Sequence, residues 1–368
     1  MLYCKSKKPF NFYERNRDMT KKKLIINIIS FILCCAMMLP LCACGKSEPV
    51  QQQIFAMDTI MTLTAYGDSA NNGLKAAVDV IQAMDNTLSP DSESSYTYLI
   101  NHANGKDVVI SPQISEMLSV AYDVYLKSRG ALDLSVYPLY EAWGEFKEDS
   151  GRVPSSEEIT ELLTKLNFDK LSITQFPGET SASVSLPAGT EISFGAIAKG
   201  CASDYAINAM KKAGVESGIV SLGGNVQTLG LKPDGTNWVI AVDDPNDTGS
   251  FLGTLSVGEM AVVTSGSYQR FFSVNGTEYH HIIDPKTGSP AKSGLKSVTI
   301  ICPDGTLADA LSTAMFVLGQ EKALQYWRDN GGFEMIMVTD EDEVICTSGL
   351  IEVFTLTNTS DYTYTMTE

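Results

Sequence analysis

Three histidines stand in the sequence, His102, His280 and His281, so any imidazole chemistry near neutral pH must use one of them. His281 opens the run His281-Ile282-Ile283-Asp284-Pro285-Lys286-Thr287-Gly288. Two apolar residues there read as a short buried strand, and Asp-Pro followed by Thr-Gly reads as a turn. A histidine at a strand end beside a turn can reach a cleft, and Asp284 stands where it could orient the ring or raise its basicity. Taken alone, the fragment reads more simply as a structural turn. A second group, Asp309, Ser312 and Thr313, is spaced i, i+3, i+4 on an expected helix and so shares one face. Hard magnesium takes such oxygen donors and keeps water or phosphate in the rest of its shell. The plainer alternative is polar capping of a helix start. A third segment, Ser193-Phe194-Gly195-Ala196-Ile197-Ala198-Lys199-Gly200, passes from strand to helix, where free backbone amides and the Lys199 charge can meet an anion. It lacks the P-loop spacing.

The elements that must hold these groups follow from periodicity. Ile54 to Tyr66 is expected as a strand, and Gly73 to Met84, Pro112 to Lys127 and Ser155 to Leu166 as helices. Leu171 to Phe194 reads as short strands, Ala198 to Ala213 as an amphipathic helix, and Ser217 to Gly230 as a strand broken at Gly223-Gly224. Ser221 to Asn225 and Thr264 to Tyr268 are expected as tight turns where a ligand can approach backbone. Strands recur from Trp238 to Thr299, helices cover Thr306 to Leu318 and Glu321 to Asn330, and further strands end near Phe354. Runs of strands separated by runs of helices indicate an α+β fold, not a doubly wound parallel one.

The chain has 368 residues, 44% of them hydrophobic, which is enough to bury a large core. Its net charge is −17, and beyond residue 44 it carries 19 basic against 42 acidic residues. Nucleic acid is therefore a poor partner for the folded part. Lys21-Lys22-Lys23 followed by apolar Leu24 to Leu41 has the layout of an export signal, and Leu41-Cys42-Ala43-Cys44 resembles a lipobox with Cys44 as the lipidated residue. The alternative is a transmembrane helix. Translation could equally begin at Met19. Residues 1–44 are thus read as the signal, 45–53 as a tether, 54–358 as the folded domain and 359–368 as a polar tail. Cys201, Cys302 and Cys346 are scattered without metal-ligand spacing and are expected to be small buried apolar residues.

In order along the chain, Met57-Asp58-Thr59, Leu88-Ser89 through Asn101, Gly130-Ala131-Leu132-Asp133, Gly195 to Gly200, Leu222-Gly223-Gly224-Asn225, Thr264-Ser265-Gly266, His281 to Pro285 and Ala308 to Thr313 resemble the ApbE family over roughly Phe55 to Thr355. The resemblance implies a T-fold-like α+β architecture that binds FAD and Mg2+ and transfers FMN to a threonine or serine of an acceptor protein, releasing AMP. It implies an FAD site at Met57, Asp91, Ala131, Leu132 and Asp133, continued by Ser193, Lys199 and Ile283. It puts the metal at the Ala196 carbonyl with Asp309, Ser312 and Thr313, and makes His281 the base. The chain departs from the family pattern at Asp58, where glycine is usual, at Ser193, where aspartate is common, and at Ser312, where some members carry a second aspartate. An extracytoplasmic, lipid-anchored transferase is the expected function. An FAD pyrophosphatase and a non-catalytic flavin-binding lipoprotein are the alternatives.

Overall fold

The computed structural model describes residues 48–144, 146, 151–357 and 360–367. The chain divides into two units, Met1–Lys46 and Ser47–Glu368. The signal run and Cys44 lie outside the described residues, and no helix among those described is long and apolar enough to cross a membrane.

Nine strands form the main sheet: β1 Val50–Ala56, β2 Thr59–Ala65, β3 Gly218–Leu222, β4 Asn225–Leu229, β5 Ala261–Gly266, β6 Leu295–Cys302, β7 Glu334–Thr339, β8 Glu343–Thr347 and β9 Thr363–Thr367. Their order in the sheet is their order in the chain, and all neighbours run antiparallel except β8 and β9. The long insertions between strands supply the helices, chiefly α1 Ala70–Leu88, α2 Pro112–Lys127, α3 Ala198–Lys212, α4 Gly305–Leu318 and α5 Gln320–Asn330. The architecture is the expected α+β.

Period-two burial decides which face takes which layer. Met61, Leu63 and Ala65 of β2 point inward with Val220 and Leu222 of β3, onto Leu74 and Ile81 of α1 and Ile207 and Met210 of α3. Further along the sheet, Val263, Val298, Ile300 and Met335 pack on α2 and α4. The outer face meets a small antiparallel sheet of Trp238–Asp244, Asp247–Val257 and Phe354–Leu356 through Leu252, Leu255, Ile301 and Val344. A satellite cluster of Leu139, Trp143, Phe272 and Ile283 sits apart, with the Trp143 indole N–H donating to Gly288 O at 2.9 Å. Cys201, Cys302 and Cys346 are free and buried, as the sequence led us to expect.

The sequence reads Ile54 to Tyr66 as one strand, but the structure folds it into a hairpin. Ala56 pairs with Thr59, and the two residues between, Met57 and Asp58, have φ of 49° and 58°. Two consecutive positive φ values are those of a type I′ turn, which suits the twist of its flanking strands. Asp58 tolerates this conformation, though less readily than the glycine it replaces. Gly223 and Gly224 close the β3–β4 hairpin in the same way, with φ of 59° and 96°. A Cβ on Gly223 would lie 2.5 Å from Thr59 Oγ1, so the two hairpin tips abut. Of the turn expected at Thr264 to Tyr268, Thr264 to Gly266 form the end of β5 and the chain turns at Ser267 and Tyr268. Two short helices, Tyr96–Asn101 and Tyr137–Ala142, were not expected, and part of the polar tail pairs as β9.

Helices α3 and α4 cross at two glycines. A Cβ on Gly200 would overlap Gly305 O and stand 2.6 Å from Asp309 Cβ, and one on Gly305 would lie 2.6 Å from Ser203 Oγ. Asp204 of α3 uses the close approach to cap α4. Its carboxylate accepts from Gly305 N at 2.9 Å and from Thr306 N at 2.7 Å. Gly200→Ala should therefore cost about 1–3 kcal/mol of stability as overpacking. Gly249→Ala, where the nearest atom is 3.4 Å away, should change the urea midpoint little. Equal midpoints for the two variants would contradict the tight crossing.

Candidate active site

The helix α3 opens after the N-cap Ile197, and its first intrahelical bond runs from Cys201 N to Ile197 O at 3.1 Å. Ala198 N returns to Phe194 O at 2.8 Å, and Gly200 N, one of the amides that any helix start leaves unpaired, donates to the Asp309 carboxylate at 2.8 Å. Ala196 O, just before the helix, has no hydrogen-bond donor among the described residues. Asp309 is 4% exposed. Beside it the Thr313 hydroxyl is half-buried and only 3.5 Å from Ser265 Oγ. Ser312 is more committed, since its hydroxyl donates to Asp309 O at 2.9 Å and shares a 2.8 Å bond with Ser265 Oγ. An unengaged carbonyl, a carboxylate and a loosely held hydroxyl form an oxygen donor set that fits a hard divalent cation. No group of three or more His, Cys, Asp or Glu residues that could hold a metal occurs among the described residues. Ser312 braces this group through Ser265, which the sequence flagged only as part of a turn.

The two adjacent histidines are separated by their hydrogen bonds. His280 ends the strand Thr277–His280; its Nδ1 accepts from Ile282 N at 3.3 Å, so Nε2 carries the proton and donates to Ala291 O at 3.0 Å. Its ring stands edge-on to Phe316, and both nitrogens are spent. His281 lies in the bend that follows. Arg270 O accepts from His281 N at 3.1 Å and from Nδ1 at 3.2 Å. A carbonyl can only accept, so Nδ1 carries the proton and Nε2 keeps a free lone pair. The sequence suggested Asp284 as the orienting group, and the structure corrects this. Asp284 is folded into its own turn, with Oδ1 accepting from Lys286 N at 2.9 Å and its carbonyl from Gly288 N. Burial holds the His281 imidazole well below its ordinary pKa of 6.5, and the Arg270, His280 and Lys199 charges push it the same way.

The remaining predicted residues line up in two groups. Met57 sits partly buried at the hairpin tip, its amide donating to Asp85 Oδ1 at 2.9 Å, and Arg270 Nη2 reaches the neighbouring Asp58 O at 3.5 Å. Ala131 and Leu132 are buried, with their amides on Ser128 Oγ. Asp133 accepts from Ser135 N at 2.8 Å, and burial raises its carboxyl above the usual range. This segment joins the third motif where Ser193 N donates to Leu134 O at 3.0 Å, and Ser193 Oγ accepts from Gly195 N in turn. Asp91 lies exposed in a loop, near enough for its charge to act on Tyr137. Ile283 belongs to the satellite cluster with Trp143. Asn225, 2% exposed, leaves its Nδ2 without a partner among the described residues. It lies two residues before Gln227, which bonds Ser203 on α3, so this donor faces the helix side of the sheet near its turn end. Asn225, Ser265 and Arg270 carried no individual role in the sequence reading.

The family profile described as the ApbE family matches residues 57–337. The FAD:protein FMN transferase of Treponema pallidum is 30% identical over 334 residues, 84% of this chain and 91% of the relative. That of Haemophilus influenzae is 28% identical, spanning 90% of this chain and 99% of the relative. Among solved structures, the ApbE protein from Thermotoga maritima superposes with a TM-score of 0.73 at 31% identity, covering 79% of this chain and 94% of that one. The apo flavinyl transferase ApbE of Pseudomonas stutzeri gives 0.70 at 28%, covering 85% and 95%.

A lowered folded-state pKa means that the unfolded chain takes up a proton at His281 before the native one does. This residue therefore favours folding least at acid pH, and its penalty appears as pH falls below about 6.5 and grows toward the native value. In ligand-free protein the His281 ring signals should show no titration step between pH 6 and 8 by NMR. A midpoint at or above 6.5 would contradict the cation-flanked setting.

Proposed function

The chain belongs to the ApbE family, and on that premise we propose that it transfers FMN from FAD to a threonine or serine hydroxyl of an acceptor protein, releasing AMP. The observation that carries this reading is the free lone pair on His281 Nε2, held by Arg270 O and lying within electrostatic reach of Lys199 at the start of α3. The acceptor oxygen attacks the flavin-side phosphorus of the FAD pyrophosphate. Its proton goes to His281 Nε2, and the bond to the AMP phosphate breaks with the electron pair leaving on AMP. At neutral pH the imidazole is neutral and so free to accept a proton. Such phosphoryl chemistry needs positioning and charge neutralisation more than covalent help. Magnesium held by Asp309, Thr313 and Ala196 O, when bound, would neutralise pyrophosphate charge. Lys199 and the positive end of α3 supply fixed positive charge for the same anion. Met57, Asp91, Ala131 to Asp133, Ser193 and Ile283 are proposed to line the FAD site. Placement on the extracytoplasmic membrane face through a lipid on Cys44 completes the proposal.

Incubation with FAD, magnesium and an acceptor, followed by mass analysis of protein and nucleotide, tests the reaction. Acceptor mass increased by FMN together with free AMP supports transfer, free FMN plus AMP indicates hydrolysis, and intact FAD indicates binding alone. His281→Ala should bind FAD yet slow single-turnover transfer by about 10²- to 10⁴-fold, with His280→Ala retaining the rate wherever it folds. Loss of rate in His280→Ala alone would show the wrong base. Asp309→Asn should raise the magnesium concentration needed for half-maximal rate at least tenfold, and an unchanged magnesium dependence would place the ion elsewhere.

A further inference from the structure

We propose that the Arg270 guanidinium is an anion-binding arm of this site that takes a phosphate oxygen of the dinucleotide, an assignment that rests on the flavin-transfer reading above. Arg270 lies four residues past the end of β5, in the turn that leads to the strand Phe271–Val274. Its main chain and side chain do different things. The carbonyl fixes His281 through two hydrogen bonds, whereas the guanidinium extends to the β1–β2 hairpin tip and meets Asp58 O in one long contact of 3.5 Å. A guanidinium has five N–H donors, so most of this one's are left for another partner.

No carboxylate pairs with Arg270 or with Lys199 among the described residues, although acidic side chains outnumber basic ones in the sequence. Two cations without acids approach the same imidazole from different elements, Lys199 from the first turn of α3 and Arg270 from the turn after β5. Mutual repulsion at such a point is relieved by an anion. The reacting phosphorus must lie within reach of an oxygen that hydrogen-bonds His281 Nε2, and so close to both charges. The planar fork of arginine matches two phosphate oxygens, which a lysine ammonium does not reproduce.

Side-chain substitution isolates the guanidinium, because the carbonyl that anchors His281 remains in every variant. The experiment measures dissociation constants of FAD, FMN and riboflavin by flavin fluorescence, at low and high salt, for the full chain and for Arg270→Gln and Arg270→Lys. Arg270→Gln should weaken FAD and FMN about tenfold, leave riboflavin unchanged and flatten the salt dependence. Arg270→Lys should recover part of the loss. The His281 ring should also titrate at higher pH in Arg270→Gln. Equal weakening of all three flavins would mean that the arginine supports the flavin pocket or the fold, and unchanged binding of all three would mean that it holds no phosphate. Normal FAD binding with a raised KM for the acceptor protein would assign it to the acceptor. Each of these overturns the proposal. If the unmodified chain binds none of the flavins, the flavin reading itself fails, and this assignment with it.

Discussion

The site depends on how closely α3 and α4 approach at Gly200 and Gly305. At that distance the two helices exchange carboxylates: Asp204 of α3 satisfies the first amides of α4, and Asp309 of α4 satisfies an amide in the first turn of α3. Helix starts carry unpaired N–H groups and a partial positive charge, so each exchange meets a need that the other helix creates. A β-carbon at either glycine would push the helices apart and break both. Asp309 takes the amide of Gly200, four residues after Ala196, whose carbonyl has no donor among the described residues.

The sheet contributes the other half of the site through its turns. The tips at Met57–Asp58 and Gly223–Gly224 abut, and a Cβ on Gly224 would lie 3.4 Å from Gln269 Nε2, next to Arg270. Arg270 in turn touches Asp58 and holds His281. Three connections of one sheet edge therefore converge on one imidazole. Positive φ at four tip residues is the conformational cost of that convergence, and glycine bears it at two of them. Met57 and Asp58 bear it without glycine, helped by the Met57 amide bond to Asp85 and the Arg270 contact to Asp58 O.

Local signals in the sequence were read well where the structure is itself local. The helix expected from Pro112 to Lys127 occupies those bounds as α2. Ser155 caps the helix Ser156–Leu163 as its sequence indicates. The hairpin at Met57-Asp58 is hard to read from sequence because Met57 is not a usual turn former and no glycine follows Asp58, while the contacts that support the turn come from Asp85 and Arg270, remote in sequence. Asp204 was missed for the same reason: nothing in its spacing shows that it caps a helix 101 positions later. The sequence points to His281 through its place at a strand end beside a turn and through the family resemblance, whereas the structure separates the two histidines by hydrogen bonds to Arg270, Ile282 and Ala291. Asp284, adjacent in sequence, was the natural candidate for orienting His281, and a main-chain carbonyl eleven residues earlier does that work.

The balance of charge at the site bears on how the proposed substrate and metal would assemble. Only Asp309 offers a carboxylate to the cation, and one of its oxygens is already engaged by Gly200 N. Ser312, where a second acid would double that charge, is tied to Ser265 and the Asp309 carbonyl. One carboxylate and neutral oxygens form a weak site for magnesium, which keeps waters or phosphates in the rest of its shell. Lys199 and Arg270 meanwhile present positive charge that opposes a bare cation and favours an anion. On the proposed reading the pyrophosphate answers both conditions, since it supplies the missing negative ligands and neutralises the two side chains. The protein's shortage of acid at this point then makes metal and dinucleotide binding cooperative, each raising the affinity for the other by the same factor.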